Sequence, residues 1–321
     1  MILNLKNVSV TYKRDDGSSV VAVNSVSMSL KQGEILGLVG ESGCGKSTLG
    51  KAIMGINPVS TGSIEFDGVQ VKSLGRESRP LVLRQMQLIF QDPYSSLNPR
   101  RTIGNQLIDG LIHAGDDEEK AREISAKLLE RVGLSRNALT KYSHQFSGGQ
   151  HQRIAIARAL SISPKIIVAD EPISALDASA QAQVSNLLVE LVKEFNMGMI
   201  FISHDLSVVR QISDRIAVMY LGKIVELGDT EDIWKSPLHP YTNALINAVP
   251  RPDGKGNIPL ELLGDVPDPR FPPNGCRFNP RCPKVFEICS KHEPHLVKQM
   301  SDTREVSCHL HNIEGSANVA S

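Results

Sequence analysis

The chain has 321 residues, of which 40% are hydrophobic and 22% charged. That is the balance of an ordinary globular protein and excludes disorder over the whole length. Its 35 basic residues cancel 35 acidic ones, which argues against a nucleic-acid binder that works by bulk electrostatics. No apolar run approaches the roughly 18–20 residues that span a bilayer. Residues 1–6 lack the basic and long apolar regions of a signal peptide. The expectation is a cytosolic chain that serves any membrane through partners. The length suggests one large domain with an appendage, or two domains.

Residues 3–12 and 20–30 alternate apolar and polar side chains, and Asp15-Asp16-Gly17-Ser18 between them is turn chemistry, so the chain opens as an antiparallel hairpin. Ile35 to Val39 is a continuous apolar run, the pattern of a strand covered on both faces. A glycine-rich loop and a helix over 48–54 follow. Residues 64–66 and 69–71 flank Asp67-Gly68, a hairpin signal, and 87–90 is another buried strand. From about 102 to 160 the pattern is helical; Ile124, Leu128, Leu129 and Val132 share one face. Short apolar strands at 166–169, 199–203 and 215–219 alternate with helices at 181–194 and 206–212, which predicts an α/β fold with a parallel sheet. Residues 250–273 form a proline-rich linker, and a cysteine-bearing segment closes the chain.

Gly40-Glu41-Ser42-Gly43-Cys44-Gly45-Lys46-Ser47-Thr48 fits the phosphate-binding pattern G-x-x-x-x-G-K-[ST] and sits between a strand and a helix, as that pattern requires. Its glycines let main-chain N–H groups curl around phosphate oxygens. Lys46 is expected to reach the β- and γ-phosphates and Ser47 to hold Mg²⁺. A plain glycine-rich turn is the competing reading, weakened by the strand and helix on either side. Asp170-Glu171 ends a buried strand; Asp170 is placed for Mg²⁺ and Glu171 to polarise a water as general base. Acidic residues also close strands for no catalytic reason, so this pair gains its meaning from the loop before it. Ser147 is an N-cap, and Gly148-Gly149-Gln150 leave helix-end N–H groups bare.

Taken together, Phe146-Ser147-Gly148-Gly149-Gln150 and the two motifs around it resemble the ATP-binding-cassette (ABC) ATPases, with Phe146 standing where the family's signature usually begins with leucine. The resemblance covers about residues 1–250. It implies the ABC fold: a RecA-like parallel sheet core, an antiparallel β subdomain and an α-helical subdomain at about 92–160. It further implies that Gln91 is the Q-loop glutamine, touching both the metal site and the membrane subunit. Asp177 would be the D-loop aspartate at the dimer seam, or else a helix cap. His204 would be the switch histidine on the γ-phosphate, and Tyr12 an adenine-stacking aromatic. Six ordered matches leave ATP and Mg²⁺ as the implied cofactors. They also imply a partner cassette, because in this family the signature of one subunit closes over the P-loop of another.

Gln91-Asp92-Pro93-Tyr94-Ser95-Ser96-Leu97-Asn98-Pro99-Arg100 and Ser236-Pro237-Leu238-His239-Pro240-Tyr241-Thr242 resemble the oligopeptide/dipeptide importer ATPases, in particular the second of their two ATPase subunits. The late cysteines run C-x5-C-x6-C-x18-C (Cys276, Cys282, Cys289, Cys308). Spacing alone leaves a metal centre and plain buried cysteines equally open, since zinc sites usually begin with tighter pairs. The resemblance implies a [4Fe–4S] cluster, with zinc as the alternative, in a small Cys-rich module at 251–321. The expected function is ATP hydrolysis coupled to import of peptides or similar small solutes. The implied partners are a homologous second ATPase in a heterodimer, two transmembrane permease subunits and, indirectly, an extracytoplasmic solute-binding protein. Nucleic acid is not among them. The expected place is peripheral, on the cytoplasmic side of the inner membrane. The alternative is a soluble non-transport ABC ATPase that acts on nucleic acid or the ribosome. The cargo, whether peptide, short oligosaccharide, nickel or glutathione, is not written in this chain.

Overall fold

A computed structural model of the protein describes residues 1–13, 17–75, 79–94, 96–249, 264–299 and 303–311. Asp15 and Asp16 of the first expected turn, Ser95 and residues 250–263 of the expected linker lie outside the described residues. In chain order the elements are β1 (Leu3–Lys13), β2 (Ser19–Leu30), β3 (Ile35–Val39), α1 (Lys46–Ile53), β4 (Thr61–Phe66), β5 (Val69–Gln70), α2 (Leu81–Arg84) and β6 (Met86–Ile89). Then come α3 (Ile103–Ala114), α4 (Glu118–Arg131), α5 (Gly148–Leu160), β7 (Ile166–Asp170), α6 (Ala178–Phe195), β8 (Gly198–Ser203), α7 (Leu206–Ile212), β9 (Arg215–Tyr220) and β10 (Lys223–Asp229). The chain continues with α8 (Thr230–Lys235), α9 (Pro240–Asn247), α10 (Glu287–Lys291), β11 (Val297–Lys298) and β12 (Glu305–Val306).

Two sheets result. A four-stranded antiparallel sheet has the order β2-β1-β4-β5, and an eight-stranded sheet has the order β11-β12-β10-β9-β3-β8-β7-β6. The expected parallel core is present as β9, β3, β8, β7 and β6. The central strands are apolar apart from residues at their ends, because both of their faces are covered. On β3, Ile35 and Val39 enter the cluster on the helical side, while Leu36 and Leu38 enter the cluster between the two sheets. Successive side chains of a strand point to opposite faces, so one continuous run serves two cores. On β7, Ile167 and Ala169 serve the first cluster, and Ile166 and Val168 the second.

Short polar residues start the helices where the sequence places them. Thr102, Asp117, Ser147, Asp177 and Asp205 each accept a bond from a main-chain N–H one helical turn in. Each such cap contributes about 1 kcal/mol.

The sheet differs from expectation at its far edge. β10 and β12 run antiparallel to their neighbours and extend the sheet past β9. The C-terminal segment is accordingly not a separate small module. Phe278 is 1% exposed and belongs to the main core, its ring centroid 5.3 Å from that of Tyr220 and 5.4 Å from that of Tyr241. Burying one such ring contributes about 1.5–3 kcal/mol. A stretch this short cannot enclose enough apolar surface of its own, and it gains stability by docking on a core that already exists.

Candidate functional site

The strand-to-helix connection from β3 to α1 forms the floor of a cleft of about 330 Å³, lined by Ala22, Ser42, Gly43, Gly45, Lys46, Ser47, Thr48, Gln91 and Glu171. Backbone geometry explains the glycines. Gly40 has φ +153°, and a Cβ there would lie 2.1 Å from the carbonyl oxygen of Met219. Gly45 has φ +107°, and a Cβ there would lie 2.2 Å from the carbonyl oxygen of Ala22. Both clashes are with main chain, which cannot yield as a side chain can. Gly45 is also the N-cap of α1 and offers no capping side chain. The first N–H groups of that helix, with no partner inside it, are left for an anion.

Lys46 is 4% exposed, and its Nζ donates to Gly40 O at 2.7 Å and Glu41 O at 3.0 Å. The ammonium thus pins the loop's curl through the loop's own carbonyls. Cys44 packs into the cluster between the sheets with its Sγ 3.8 Å from Lys46 Nζ, and burial pushes its thiol up. Tyr12, on β1, is exposed beside the cleft; its hydroxyl accepts from Asn57 Nδ2 at 2.8 Å and donates to Thr48 Oγ1 at 3.4 Å.

Across the cleft, the ends of parallel strands deliver the acids. Ser47 Oγ donates to Asp170 Oδ1 at 2.7 Å. Burial raises the Asp170 carboxyl above its usual range, and the Ser47 bond opposes that shift. A hydroxyl and a carboxylate converging on one point are hard oxygen donors, the set that suits Mg²⁺. Glu171 sits one residue past β7 with φ +46°, a left-handed conformation that costs a non-glycine residue about 1–2 kcal/mol. Its N–H is held by Ile202 O at 3.0 Å. Gln91 Nε2 donates to Glu171 Oε2 at 2.9 Å, and His204 Nδ1 stands 3.5 Å from Glu171 Oε1. Residues 91, 171 and 204, which follow the ends of β6, β7 and β8, therefore form one polar chain.

Ser147 to Gln150 and Asp177 do not line this cleft. Ser147 Oγ accepts from Gln150 N, and Gln150 Oε1 from Ser147 N, a reciprocal cap on α5. Asp177 caps α6 through Ala180 N at 2.9 Å. The segment after Gln91 reaches α5 through Tyr94, whose ring centroid lies 4.2 Å from that of His151.

Three contacts at this site were not foreseen. Asn57 anchors Tyr12. Tyr241 is fully buried, and its hydroxyl accepts the Glu41 N–H at 3.0 Å. Arg281 forms a two-pronged ion pair with Glu41, Nη1 to Oε2 at 2.8 Å and Nη2 to Oε1 at 3.1 Å. The motif at 236–242 contains Tyr241 but carries only the family resemblance, not a role at this site. Glu226, buried in β10, accepts the N–H groups of Leu238 and His239 at 2.9 Å each, and His239 Nδ1 accepts Tyr241 N at 3.0 Å. Those bonds fix α9 so that its first turn lies under the P-loop.

The metal centre expected on the late cysteines is not shown by the structure. Cys276, Cys282, Cys289 and Cys308 line one recess with His239 and Phe278. Among the described residues, however, no group of three or more His, Cys, Asp or Glu side chains is placed to hold a metal ion. Neither zinc nor [4Fe–4S] ligation is supported by this geometry. Burial, with mutual repulsion between the thiolates as a lesser cause, pushes Cys276 up to about 12 and Cys308 up to about 11. Of the late histidines, His309 and His311 bond main-chain carbonyls of His292 and Leu238.

No helix among the described residues is long and apolar enough to cross a membrane. The ABC transporter family matches residues 23–174, and the family described as oligopeptide/dipeptide transporter, C-terminal region, matches residues 225–289. The chain is 47% identical over 298 residues to the oligopeptide transport ATP-binding protein AppF of Bacillus subtilis (strain 168), covering 91% of this chain and 90% of that one. It is 45% identical over 294 residues to the di/tripeptide transport ATP-binding protein DppF of Pseudomonas aeruginosa (strain UCBPP-PA14), again covering 91% and 90%. The fold matches the dimeric, post-hydrolysis structure of the ATP-binding cassette MJ0796 bound to ADP and Pi with TM-score 0.63 and 29% identity, covering 71% of this chain and 98% of that one. With such identity over most of its length, a phosphate loop between strand and helix, and acids at the neighbouring strand ends, the chain belongs to the ABC transporter ATP-binding proteins, an ATPase family, in the group that carries the oligopeptide/dipeptide C-terminal region.

Proposed function

We propose that this chain is the ATP-hydrolysing subunit of an importer of peptides or similar small solutes, seated against two permease subunits on the cytoplasmic face of the membrane. It works as a dimer with a homologous cassette, its heterodimeric partner. What carries the reading is the meeting of Lys46, Ser47, Asp170 and the Gln91–Glu171–His204 chain around one cleft. The alternative, a soluble ABC ATPase acting on nucleic acid or the ribosome, is not supported, since the C-terminal region matched is that of oligopeptide/dipeptide transporters.

In this reading main-chain N–H groups of residues 42–48 and the Lys46 ammonium hold the triphosphate, and Tyr12 stacks on adenine. Ser47 and Asp170 would hold Mg²⁺, which supplies neutralising charge on the phosphate oxygens. Glu171 orients the attacking water and takes its proton, and His204 keeps the γ-phosphate in place. Gln91 reports that state to the segment packed on α5. Ser147 to Gln150 and Asp177, which lie away from this cleft, act on the partner cassette's nucleotide. Phosphate release by the assembled complex should rise several-fold when a solute-binding protein arrives loaded with short peptides. A flat response to peptides together with a rise on oligosaccharide, nickel or glutathione would reassign the cargo.

The resemblance to the oligopeptide/dipeptide importer ATPases would add a [4Fe–4S] centre on the four thiols that line one recess, which the geometry itself does not show. The ligands of a cube stand further apart than those of one ion. Anaerobically purified chain with about four iron atoms and matching acid-labile sulfide per chain would support it. A metal-free chain with four titratable late thiols would reject it.

A further inference from the structure

Glu41 is an awkward residue for a phosphate loop. Its neighbour Ser42 lines the cleft, and its own carbonyl accepts from Lys46 Nζ. A carboxylate so close to where a triphosphate must sit repels it. The chain answers that charge from 240 residues away. Arg281, one residue before Cys282, grips both carboxylate oxygens of Glu41 in a fork. Its side chain is 4% exposed and that of Glu41 22%. A guanidinium so shielded keeps little contact with solvent ions, so the pair is screened far less than a surface pair.

Tyr220, the last residue of β9, also holds this arginine. Arg281 Nη1 lies 3.5 Å from Tyr220 Oη, and the guanidinium stands 5.9 Å from the Tyr220 ring centre. Nearby, Arg277 donates to Leu221 O, and the next N–H in that turn, Gly222 N, donates to Cys44 O at 2.8 Å. The segment that bears the cysteines thus bonds to the phosphate loop directly at Glu41 and, through the turn between β9 and β10, at Cys44.

We propose that Arg281 is a positioning residue of the nucleotide site: it neutralises Glu41 and holds it aside, so that the phosphate loop presents net positive charge to the triphosphate. This rests on the reading of the cleft as the ATP site. The C-terminal segment then contributes to ATP affinity without touching ATP. Because the coupling is reciprocal, bound ATP in turn tightens the docking of that segment.

The test is nucleotide binding by the full chain, followed with a fluorescent ATP analogue and repeated with ADP and at raised salt. Arg281→Gln bares the carboxylate and should weaken ATP binding about tenfold, and ADP binding less, because repulsion scales with phosphate charge. The defect should shrink as salt rises. Glu41→Gln instead leaves the arginine charge unopposed beside the phosphates and should tighten ATP binding about threefold. The double variant should return to within about twofold of wild type, and Arg281→Lys, which keeps the charge but not the fork, should stay within about threefold. Glu41→Gln serves even if Arg281→Gln fails to fold. The proposal is overturned by wild-type affinity in Arg281→Gln, by weakened binding in Glu41→Gln, or by a double variant no better than Arg281→Gln alone. A wild-type chain that binds no nucleotide would sink the reading of the cleft itself, whereas normal wild-type binding with any of those three results removes the role of Arg281 and nothing else.

Discussion

Replacing Glu171 by Gln should reduce ATP turnover at least about a hundredfold while ATP still binds, because a positioned general base contributes about 10²–10⁴ in rate. The amide has the size of the carboxylate and keeps one acceptor oxygen. It can therefore retain the contact with Gln91 Nε2, now 2.9 Å from Oε2, and leave the loop in place. What it loses is basicity. A water held over the γ-phosphate would keep its position and find no group to take its proton. Since the triphosphate stays intact, two cassettes closed around it should stay closed. The measurements are phosphate release by the assembled complex, retention of labelled ATP, and elution of the dimer on a sizing column. Turnover equal to wild type would remove Glu171 from the chemistry and leave its left-handed backbone, at φ +46°, without a catalytic rationale.

Lys46→Ala should act at the earlier step, weakening ATP binding about a hundredfold or more. A charge-assisted bond is about twice as strong as a neutral one, and in the proposed reading Lys46 reaches two phosphate groups. The structure adds a second cost. Without Nζ, the carbonyls of Gly40 and Glu41 lose their donor in a place where water has poor access. The loop should loosen as well as lose charge. Equilibrium binding of a fluorescent analogue measures the first effect, and the urea midpoint of the nucleotide-free chain measures the second. Unchanged affinity would show that main-chain N–H groups alone hold the phosphates.

Where the cleft was legible in the amino-acid string, the reason is local. The P-loop residues lie within nine consecutive positions, and each of Gln91, Glu171 and His204 follows a strand whose apolar run announces it. Parallel strands bring their C-terminal ends to one edge, so marking the strands already groups the residues after them. The contacts that escaped have no local trace. Arg281 meets Glu41 across 240 positions and Tyr241 meets it across 200. Nothing in the immediate neighbours of either residue reports such a meeting. β10 was missed for a related reason: it lies only three residues past β9, in a stretch with no alternation strong enough to separate it from a loop. The cysteine spacing leaves a metal centre and plain buried thiols equally open, because spacing sets how far apart residues can be, not how closely their thiols converge.

The last described strand has a bearing on how the molecule is made. Glu305–Val306 pairs with Glu226 and Leu227 along the outer side of β10. Ribosomes deliver the N-terminal part first, at about 5–20 residues per second, so the helices and inner strands can assemble while that flank still lacks its neighbour. Through that interval the nascent protein carries an unpaired ribbon edge, the feature most prone to join with another copy. Closing it is a late, long-range event, and whatever shelters the newborn chain must do so until residue 306 has emerged.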